Sequence, residues 1–381
     1  MKKRFALLFG VLVLLAIPAL AVTTLSVKDL GALIAGMQQQ SKPDGKIAEK
    51  LAGVQLSEQL TPAAIEQLRA MNLGPETLEQ IHILAIESAM LPPPAADLPT
   101  TAAPDVAAQK AILARTVSAL AGMLHQPKTP ANKTTARFQN GPDSVWSSNG
   151  GGDLIAQGDL GQQFAPDNPY FRALGQHTAA IEVMGGVELR PQQKIRAGDP
   201  STQNGQISQG GPGPQLGVAF VDAARGQMRF ARWENVGGKP VAVFSYEVAK
   251  TESHYEVNYC CFPKTENTGS HLGGPNTYST NTTFGPFHSA VGYRGEFFID
   301  PATGTIIRFI MQAEMKKSDF VQQEDTRIDY GAVTADGKTM ILPEQSYVLT
   351  TVIPAGDSFQ RVAPRRTLLD IHYADYGTAG K

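Results

Sequence analysis

The chain has 381 residues, of which 42% are hydrophobic and 18% are charged, a composition typical of a globular protein and not of a disordered one. It carries 33 Lys and Arg against 35 Asp and Glu, so its formal net charge is −2 at pH 7. This balance supplies no excess of positive charge that would attract nucleic acid or an anionic membrane surface, and it argues against both as partners.

The first 21 residues have the three parts of a secretory signal peptide. The initiating Met is followed by three basic residues within residues 1–4, and residues 5–20 are largely apolar. Ala19-Leu20-Ala21 then has the small-x-small pattern that signal peptidases cleave. Pro18 and the small residues beside it favour a cleaved signal over a membrane anchor. We therefore expect cleavage after Ala21, export to the periplasm or the cell exterior, and no transmembrane segment in the mature chain.

Residues 22–91 have apolar side chains at helical spacing, which predicts a small region of short helices. Ser26 with Asp29, Thr61-Pro62 and Gly74-Pro75 are typical of helix ends. The apolar positions include Val27, Leu30, Leu33, Ile34, Met37, Ile47, Leu51, Val54, Ile65, Leu68 and Met71.

Residues 92–104, PPPAADLPTTAAP, favour an extended linker, because their five prolines interrupt any helix or strand ladder. After the linker, Asp105 is a candidate N-cap for a helix over 105–124. Leu113, Val117, Leu120 and Leu124 form one apolar stripe of this helix. We expect this stripe to cover the domain that follows, residues 105–381.

Beyond about residue 134 the apolar period changes from helical to two, which indicates strands. Gly185-Gly186 and Gly237-Gly238 are typical of tight hairpin turns. The predicted strands lie at 181–189, 216–221, 228–233, 241–248, 255–259, 295–299, 307–315, 327–333, 339–342, 346–353 and 367–373. The fold class expected is α+β: the helical region is followed by a large antiparallel sheet of nine to eleven strands, with one covering helix. Residues 190–215 and 264–287 are expected to form long loops, whose composition favours disorder.

Cys260 and Cys261 are the only cysteines, and they are adjacent in a chain predicted to reach an oxidising compartment. Side chains at successive strand positions point to opposite faces, so a disulfide between them requires a strained ring at a break in the strand. We expect either this vicinal disulfide or two free thiols in a structural position. A zinc site is not expected, because C-C lacks the spacing of a C-x-x-C ligand pair.

The seven histidines match no metal or catalytic motif. On predicted strands, His254 shares a face with Glu256 and Asn258, and His372 shares a face with Asp370. Either group contains the residue types of a general base with an orienting carboxylate. The alternative interpretation is that each group is an ordinary polar, solvated face of the sheet. No metal site and no cofactor is predicted.

The predicted strands carry more large apolar side chains than one short helix can cover. Two arrangements fit this excess of apolar side chains. Either part of the sheet stays open as an apolar surface that binds a ligand, or the helical region covers the sheet and closes the core completely. The candidate ligand-binding residues are Phe230, Trp233, Phe244, Tyr246, Tyr255, Tyr259, Phe309 and Met311.

Four segments carry a family resemblance: residues 54–70, 219–263, 295–313 and 329–343. They closely resemble a family of uncharacterised exported proteins of Gram-negative soil bacteria, for which no activity is known. The strand order, the DPATG turn at 300–304 and the pair DYGAV and DGKTMILPEQS more distantly resemble the open half-barrel of periplasmic lipoprotein carriers and of a related envelope-stress regulator. That resemblance implies a sheet curled round a helix, an apolar cavity for acyl chains and no catalytic residue.

Three functions are compatible with these features. The first is a non-enzymatic binding module of the cell envelope that holds a lipid or a lipidated protein, with the helical region contacting another envelope protein. The second is a hydrolase that uses His254 or His372 with nearby carboxylates. The third is a structural or assembly subunit of the envelope.

Overall fold

A computed structural model describes residues 23–140, 171–185, 187–189, 205–206, 212–266, 281–335, 337–352 and 365–377. Within these residues the protein is a mixed α+β fold with six helices, and about 45% of it is strand. Its centre is a ten-stranded antiparallel sheet that is not closed into a barrel. The predicted fold class is therefore confirmed, whereas the predicted signal peptide lies outside the described residues.

The N-terminal region has its own apolar core, to which four helices contribute. The elements are β1 (Thr23–Leu25), α1 (Val27–Gln39), α2 (Asp44–Ala52), β2 (Val54–Leu56), α3 (Pro62–Arg69) and α4 (Pro75–Glu87). Ser26 and Thr61 are N-caps as the sequence predicts, and each side chain accepts a backbone hydrogen bond. Val54 does not belong to the predicted helix, because α2 ends at Ala52 and β2 pairs in parallel with β1.

The described residues of the second region form two helices and thirteen strands. They are α5 (Val106–Leu124), β3 (Thr129–Gln139), β4 (Arg172–Met184), β5 (Val187–Leu189), β6 (Gly205–Gln206), α6 (Pro212–Arg225), β7 (Gln227–Val236), β8 (Lys239–Val248), β9 (Glu256–Glu266), β10 (Asn281–Ala290), β11 (Tyr293–Ile299), β12 (Ile306–Ala313), β13 (Val321–Ala335), β14 (Lys338–Val352) and β15 (Arg365–Ala374).

The large sheet has the strand order β5-β4-β3-β15-β14-β13-β12-β11-β8-β7. Strands β11 to β15 form a meander, and the β3–β5 segment joins it beside β15. Between β8 and β11 the chain leaves this sheet and forms β9 and β10, which build a smaller sheet in the order β10-β9-β6 with the earlier strand β6. Gly185 and Gly237 have φ of 57°, the left-handed conformation that the predicted hairpin turns require.

Residues 216–221 were predicted as a strand, and this prediction is wrong, because they lie in α6. A short apolar run has no period that separates a buried strand from a buried helix. The missed signal is the helical spacing of Leu216, Ala219, Phe220 and Ala223, all of which are buried. The sheet is consequently covered by two helices and not by one.

The two predicted loops are also shorter than expected. Residues 190–215 include β6 and the start of α6, and residues 264–287 include the end of β9 and most of β10. Pairing of β9 with β10 explains the second difference, since hydrogen bonds between the strands order residues whose composition alone favours disorder. The stretches 190–204, 207–211 and 267–280 lie outside the described residues.

Helices α5 and α6 cover one face of the large sheet, which we call the inner face. Its core includes Phe244, Phe297 and Phe309, which are fully buried below the helices. Alternate residues of the same strands, such as Phe298 and Ile310, are buried on the opposite, outer face. Helices or chain segments cover both faces of the sheet around these strands. Alternate residues can therefore be apolar on either face.

The helical region packs on the outer face through α4. Its Ile83 and Ile86 join a cluster with Phe138, Leu349 and Leu368 of the sheet. Beside them, Arg366 Nη2 lies 2.8 Å from Glu87 Oε1. Apolar burial and this ion pair together hold the two regions in one arrangement.

Next to this contact, the outer face contains a partly buried group of charges. Asp329 lies between two arginines: Arg308 Nε donates to its Oδ1 over 2.5 Å, and Arg327 Nη2 donates to its Oδ2 over 2.7 Å. Arg327 Nη1 also donates to the carbonyl oxygen of Ala89, just after α4, over 3.1 Å. Burial would raise the pKa of Asp329, but the two guanidinium groups outweigh it and hold the pKa below its usual value.

Candidate functional site

An apolar groove lies between α5 and α6 at the edge of the inner face. We call it the α5–α6 groove. Leu113 and Val117 line one side, Phe220 and Ala223 line the other, and Met228 of β7 closes one end. Its volume is about 320 Å³. Leu113 and Val117 are four residues apart and therefore lie on one face of α5, as the predicted apolar stripe requires.

The groove is open to solvent. Val117, on its α5 side, is 57% exposed. The remaining lining residues are Ala114, Ala224 and Gly226, so neither a charged nor a hydrogen-bonding side chain lines the groove. Such a surface favours an apolar ligand by burial and offers no charged or polar side chain to a polar one.

The eight side chains predicted to bind a ligand fall into two groups. Phe244, Tyr246, Tyr255, Phe309 and Met311 are buried in the inner-face core, and Phe230, Trp233 and Tyr259 are partly buried beside it. A ligand reaches the first group only if α5 or α6 moves away from the sheet. The sequence could not distinguish the groups, because burial here depends on α6, which was not predicted.

Trp233 has a further contact, with the Pro-rich linker. Its indole Nε1 donates to the carbonyl oxygen of Ala102 over 2.8 Å. The linker therefore runs beside β7, close to the start of α5, and Trp233 restrains it there.

His254 and Asp222 form the first of two histidine–carboxylate groups. Asp222 of α6 is 1% exposed, and its Oδ1 lies 2.7 Å from His254 Nδ1. Its Oδ2 accepts hydrogen bonds from the His254 backbone N–H over 2.9 Å and from the Tyr293 hydroxyl over 2.8 Å. Burial would raise the pKa of Asp222, but these hydrogen bonds outweigh it and the pKa lies below its usual value.

The partner of His254 is therefore Asp222 and neither Glu256 nor Asn258, which the sequence placed beside it. A buried carboxylate on Nδ1 orients the ring so that Nε2 points away, as in a general base. No hydrogen bond among the described residues joins His254 Nε2 to a serine or threonine hydroxyl. The Asp222–His254 pair therefore orients an imidazole ring, but the described residues place no nucleophilic hydroxyl in hydrogen-bond contact with its Nε2.

The second group lies on the outer face. Asp370 Oδ1 is 3.0 Å from His372 Nε2, and Asp370 Oδ2 is 3.1 Å from His82 Nε2 of α4. Gln345 Nε2 donates to Asp370 Oδ1 over 2.9 Å. Burial would raise the pKa of Asp370, but the hydrogen bonds from His82 and Gln345 lower it below its usual value. Because Asp222 and Asp370 lie on opposite sides of the sheet, the two groups do not form a single site.

The adjacent cysteines are in β9, where Cys260 is opposite Gly205 of β6. Their side chains lie outside the described residues, so the vicinal disulfide stays a prediction. In the described part of the chain, no cluster of three or more His, Cys, Asp or Glu could hold a metal ion. Nor does any helix of that part have the length and apolar character needed to cross a membrane.

Comparison with known proteins finds no matching family model, no matching curated protein and no matching solved structure. The family resemblances of the sequence therefore stay predictions.

Proposed function

We propose that this chain is an exported, non-enzymatic binding module of the cell envelope that holds the acyl chain of a lipid or of a lipidated partner in the α5–α6 groove. The observation that carries the proposal is the groove itself, whose lining side chains are apolar and which is open at the protein surface. Exposed apolar surface of this kind is typical of sites that bind a ligand or a partner.

The size and the lining of the groove both favour an acyl chain. Its volume of about 320 Å³ is at the lower end of small-molecule sites, which span roughly 300–1,000 Å³. Leu113, Val117, Phe220 and Met228 supply aliphatic and aromatic contacts, and no lining side chain can pair with a charged group. A linear hydrocarbon can bury its methylene groups against these side chains and has no polar atom of its own that needs a partner.

The first test is binding of the fluorescent apolar probe N-phenyl-1-naphthylamine, with competition by decanoate. We expect Val117→Asp to weaken probe binding by about tenfold or more, because a carboxylate at the groove removes apolar contact and disfavours an apolar ligand. The matched control is Val106→Asp, on the same helix and 66% exposed but outside the groove, which should bind as the unmodified protein does.

Equal binding by the two variants, or failure of decanoate to displace the probe, would contradict an acyl-chain site in the groove. Circular dichroism of both variants confirms that α5 is intact before the comparison is made. Both positions are exposed, so neither substitution should disturb the core.

Export is the second part of the proposal, and it rests on the signal peptide predicted from residues 1–21. We expect the protein from a Gram-negative host to be recovered outside the cytoplasm with Val22 as its first residue. Intact-mass spectrometry of the fractionated protein measures this directly. A cytoplasmic protein that still carries residues 1–21 would overturn it.

The Asp222–His254 contact supports hydrolysis as a second candidate function. A hydrolase should cleave p-nitrophenyl esters of some chain length, and His254→Ala should abolish the activity. The binding-module proposal predicts no hydrolysis above the uncatalysed rate by the unmodified protein. Activity that His254→Ala abolishes would replace the first proposal with the second.

A further inference from the structure

The solvent-exposed face of α5 is almost entirely apolar. The structure describes every residue of this helix, and among its exposed residues only Lys110 and Arg115 are charged. Apart from Ser118, the other exposed residues of α5 are Ala, Val, Leu or Gly. A helix that is apolar all round is normally buried on every side. The exposed face of α5 therefore has the composition of an interface.

The larger side chains of this face form a stripe, which consists of Val106, Leu113, Val117 and Leu124. At 3.6 residues per turn these four positions lie within about 40° of one another around the helix axis. Val106, Val117 and Leu124 are 66%, 57% and 44% exposed, and Leu113 is partly buried. Leu113 and Val117 also line the α5–α6 groove, so the stripe and the groove form one continuous surface.

The spacing of the stripe is symmetric. The intervals between its successive members are seven, four and seven residues, so the stripe reads the same from either end of α5. Two antiparallel helices related by a two-fold axis make each contact twice, once in each direction. In such a pair Val106 meets Leu124 of the second copy and Leu113 meets Val117 of the second copy. Every member of the stripe then has an apolar partner.

The two charges of α5 allow this pairing. Lys110 is five residues from the midpoint of the stripe, so the two copies of Lys110 lie about 15 Å apart along the helix axis, beyond the screening length of about 8 Å. Arg115 already binds another part of the chain, because its Nη2 donates to the carbonyl oxygen of Pro301 over 2.7 Å. Neither side chain brings like charges together at the contact.

We propose that two copies of this chain associate through α5, antiparallel and about a two-fold axis, with the stripe of each copy seated against the α5–α6 groove of the other. A helix of 19 residues is about 28 Å long and about 10 Å wide, so the contact buries less than the roughly 800 Å² per copy of a standard interface. The dimer is therefore weak and reversible. The inference goes beyond the proposed function and does not rest on it, since the monomer is the form whose groove is open to an acyl chain.

Sedimentation velocity of the mature protein without added ligand, over about 1–500 µM, tests the association. We expect a monomer–dimer equilibrium with a dissociation constant on the order of 10 µM. Val117→Asp should raise this constant about tenfold or more, because it places two carboxylates near the two-fold axis in an apolar contact. The matched control is Leu174→Asp, which introduces the same charge at a 42% exposed apolar position of β4 and should leave the constant unchanged.

Cysteine cross-linking tests the antiparallel arrangement. A mixture of the Val106→Cys and Leu124→Cys proteins should form an intermolecular disulfide between these two positions under mild oxidation, because the dimer places them opposite one another. Val106→Cys alone should not link through residue 106, since the two copies of that residue lie about 27 Å apart along the helix axis. Mass spectrometry of the linked peptides identifies the residues joined and separates them from Cys260 and Cys261.

Three results would overturn the proposal: a monomer at every concentration, equal weakening by Val117→Asp and Leu174→Asp, or a cross-link between like positions only. If the protein is monomeric, maleimide labelling of Val117→Cys identifies the alternative. Slow labelling shows that another segment of the same chain covers the stripe, and rapid labelling shows that the stripe is free. Circular dichroism of each variant confirms first that α5 is intact.

Discussion

Asp329→Ala is expected to lower the free energy of unfolding by about 3–4 kcal/mol, because it leaves the guanidinium groups of Arg327, which is buried, and of Arg308, which is partly buried, without their carboxylate. Arg308 and Arg327 both donate to Asp329. Arg327 also binds the carbonyl oxygen of Ala89, so the loss should weaken the contact between the helical region and the sheet. Urea denaturation followed by tryptophan fluorescence and by circular dichroism measures the change.

The control for this prediction is Asp97→Ala, which removes an exposed carboxylate from the linker and should change the stability by less than about 0.5 kcal/mol. A second comparison replaces Arg308, Arg327 and Asp329 together by apolar residues. We expect the triple variant to be more stable than Asp329→Ala, because it contains no buried unpaired charge. A loss in Asp329→Ala no larger than in Asp97→Ala would contradict the burial argument.

The Asp329 carboxylate also makes the free energy of unfolding depend on pH. The pKa of Asp329 is lowered in the folded protein, so its contribution to stability is fully present above the pKa of the unfolded chain, about 3.9 for Asp. It is lost as the pH falls through the lower, folded pKa. The difference in unfolding free energy between the unmodified protein and Asp329→Ala should therefore narrow below about pH 4.

Asp222→Ala is expected to have the second-largest effect, a loss of about 3 kcal/mol. The substitution leaves the Tyr293 hydroxyl in the core without its acceptor, and it releases the backbone N–H and the ring of His254. Since Asp222 joins α6 to β11 and to the segment before β9, the loss should loosen α6 on the inner face.

Tyr293→Phe is the matched comparison. It removes one of the three hydrogen bonds of Asp222 and keeps the aromatic ring, so we expect a loss of only about 1 kcal/mol. Thermal unfolding of the two single variants and of the double variant gives the coupling between the side chains. Additive losses would show that the Tyr293–Asp222 bond contributes no stability of its own.

The local pattern of the chain predicts much of the fold. Strands with a period of two, such as the one containing Phe297 and Phe298, bury alternate residues on opposite faces. Helix caps at Ser26 and Asp105, and the turn at Gly237, also follow from neighbouring residues alone. These features depend on interactions within a few positions along the chain, which is why the sequence shows them.

The candidate sites depend on residues that are distant in sequence. Asp222 and His254 are 32 positions apart, and Leu113 and Phe220 meet only because α5 and α6 lie on the same sheet. The α6 segment itself was predicted as a strand, because its apolar run is compatible with either structure until its surroundings are known.

An antiparallel sheet domain preceded by short helices is therefore predictable from the residues alone, since hydrophobic period and turn chemistry are local properties. Which apolar residues fill the core, where the groove opens and which carboxylate binds each histidine depend on the folded arrangement. Those outcomes follow from strand order and helix placement, which bring together side chains that no spacing along the chain connects.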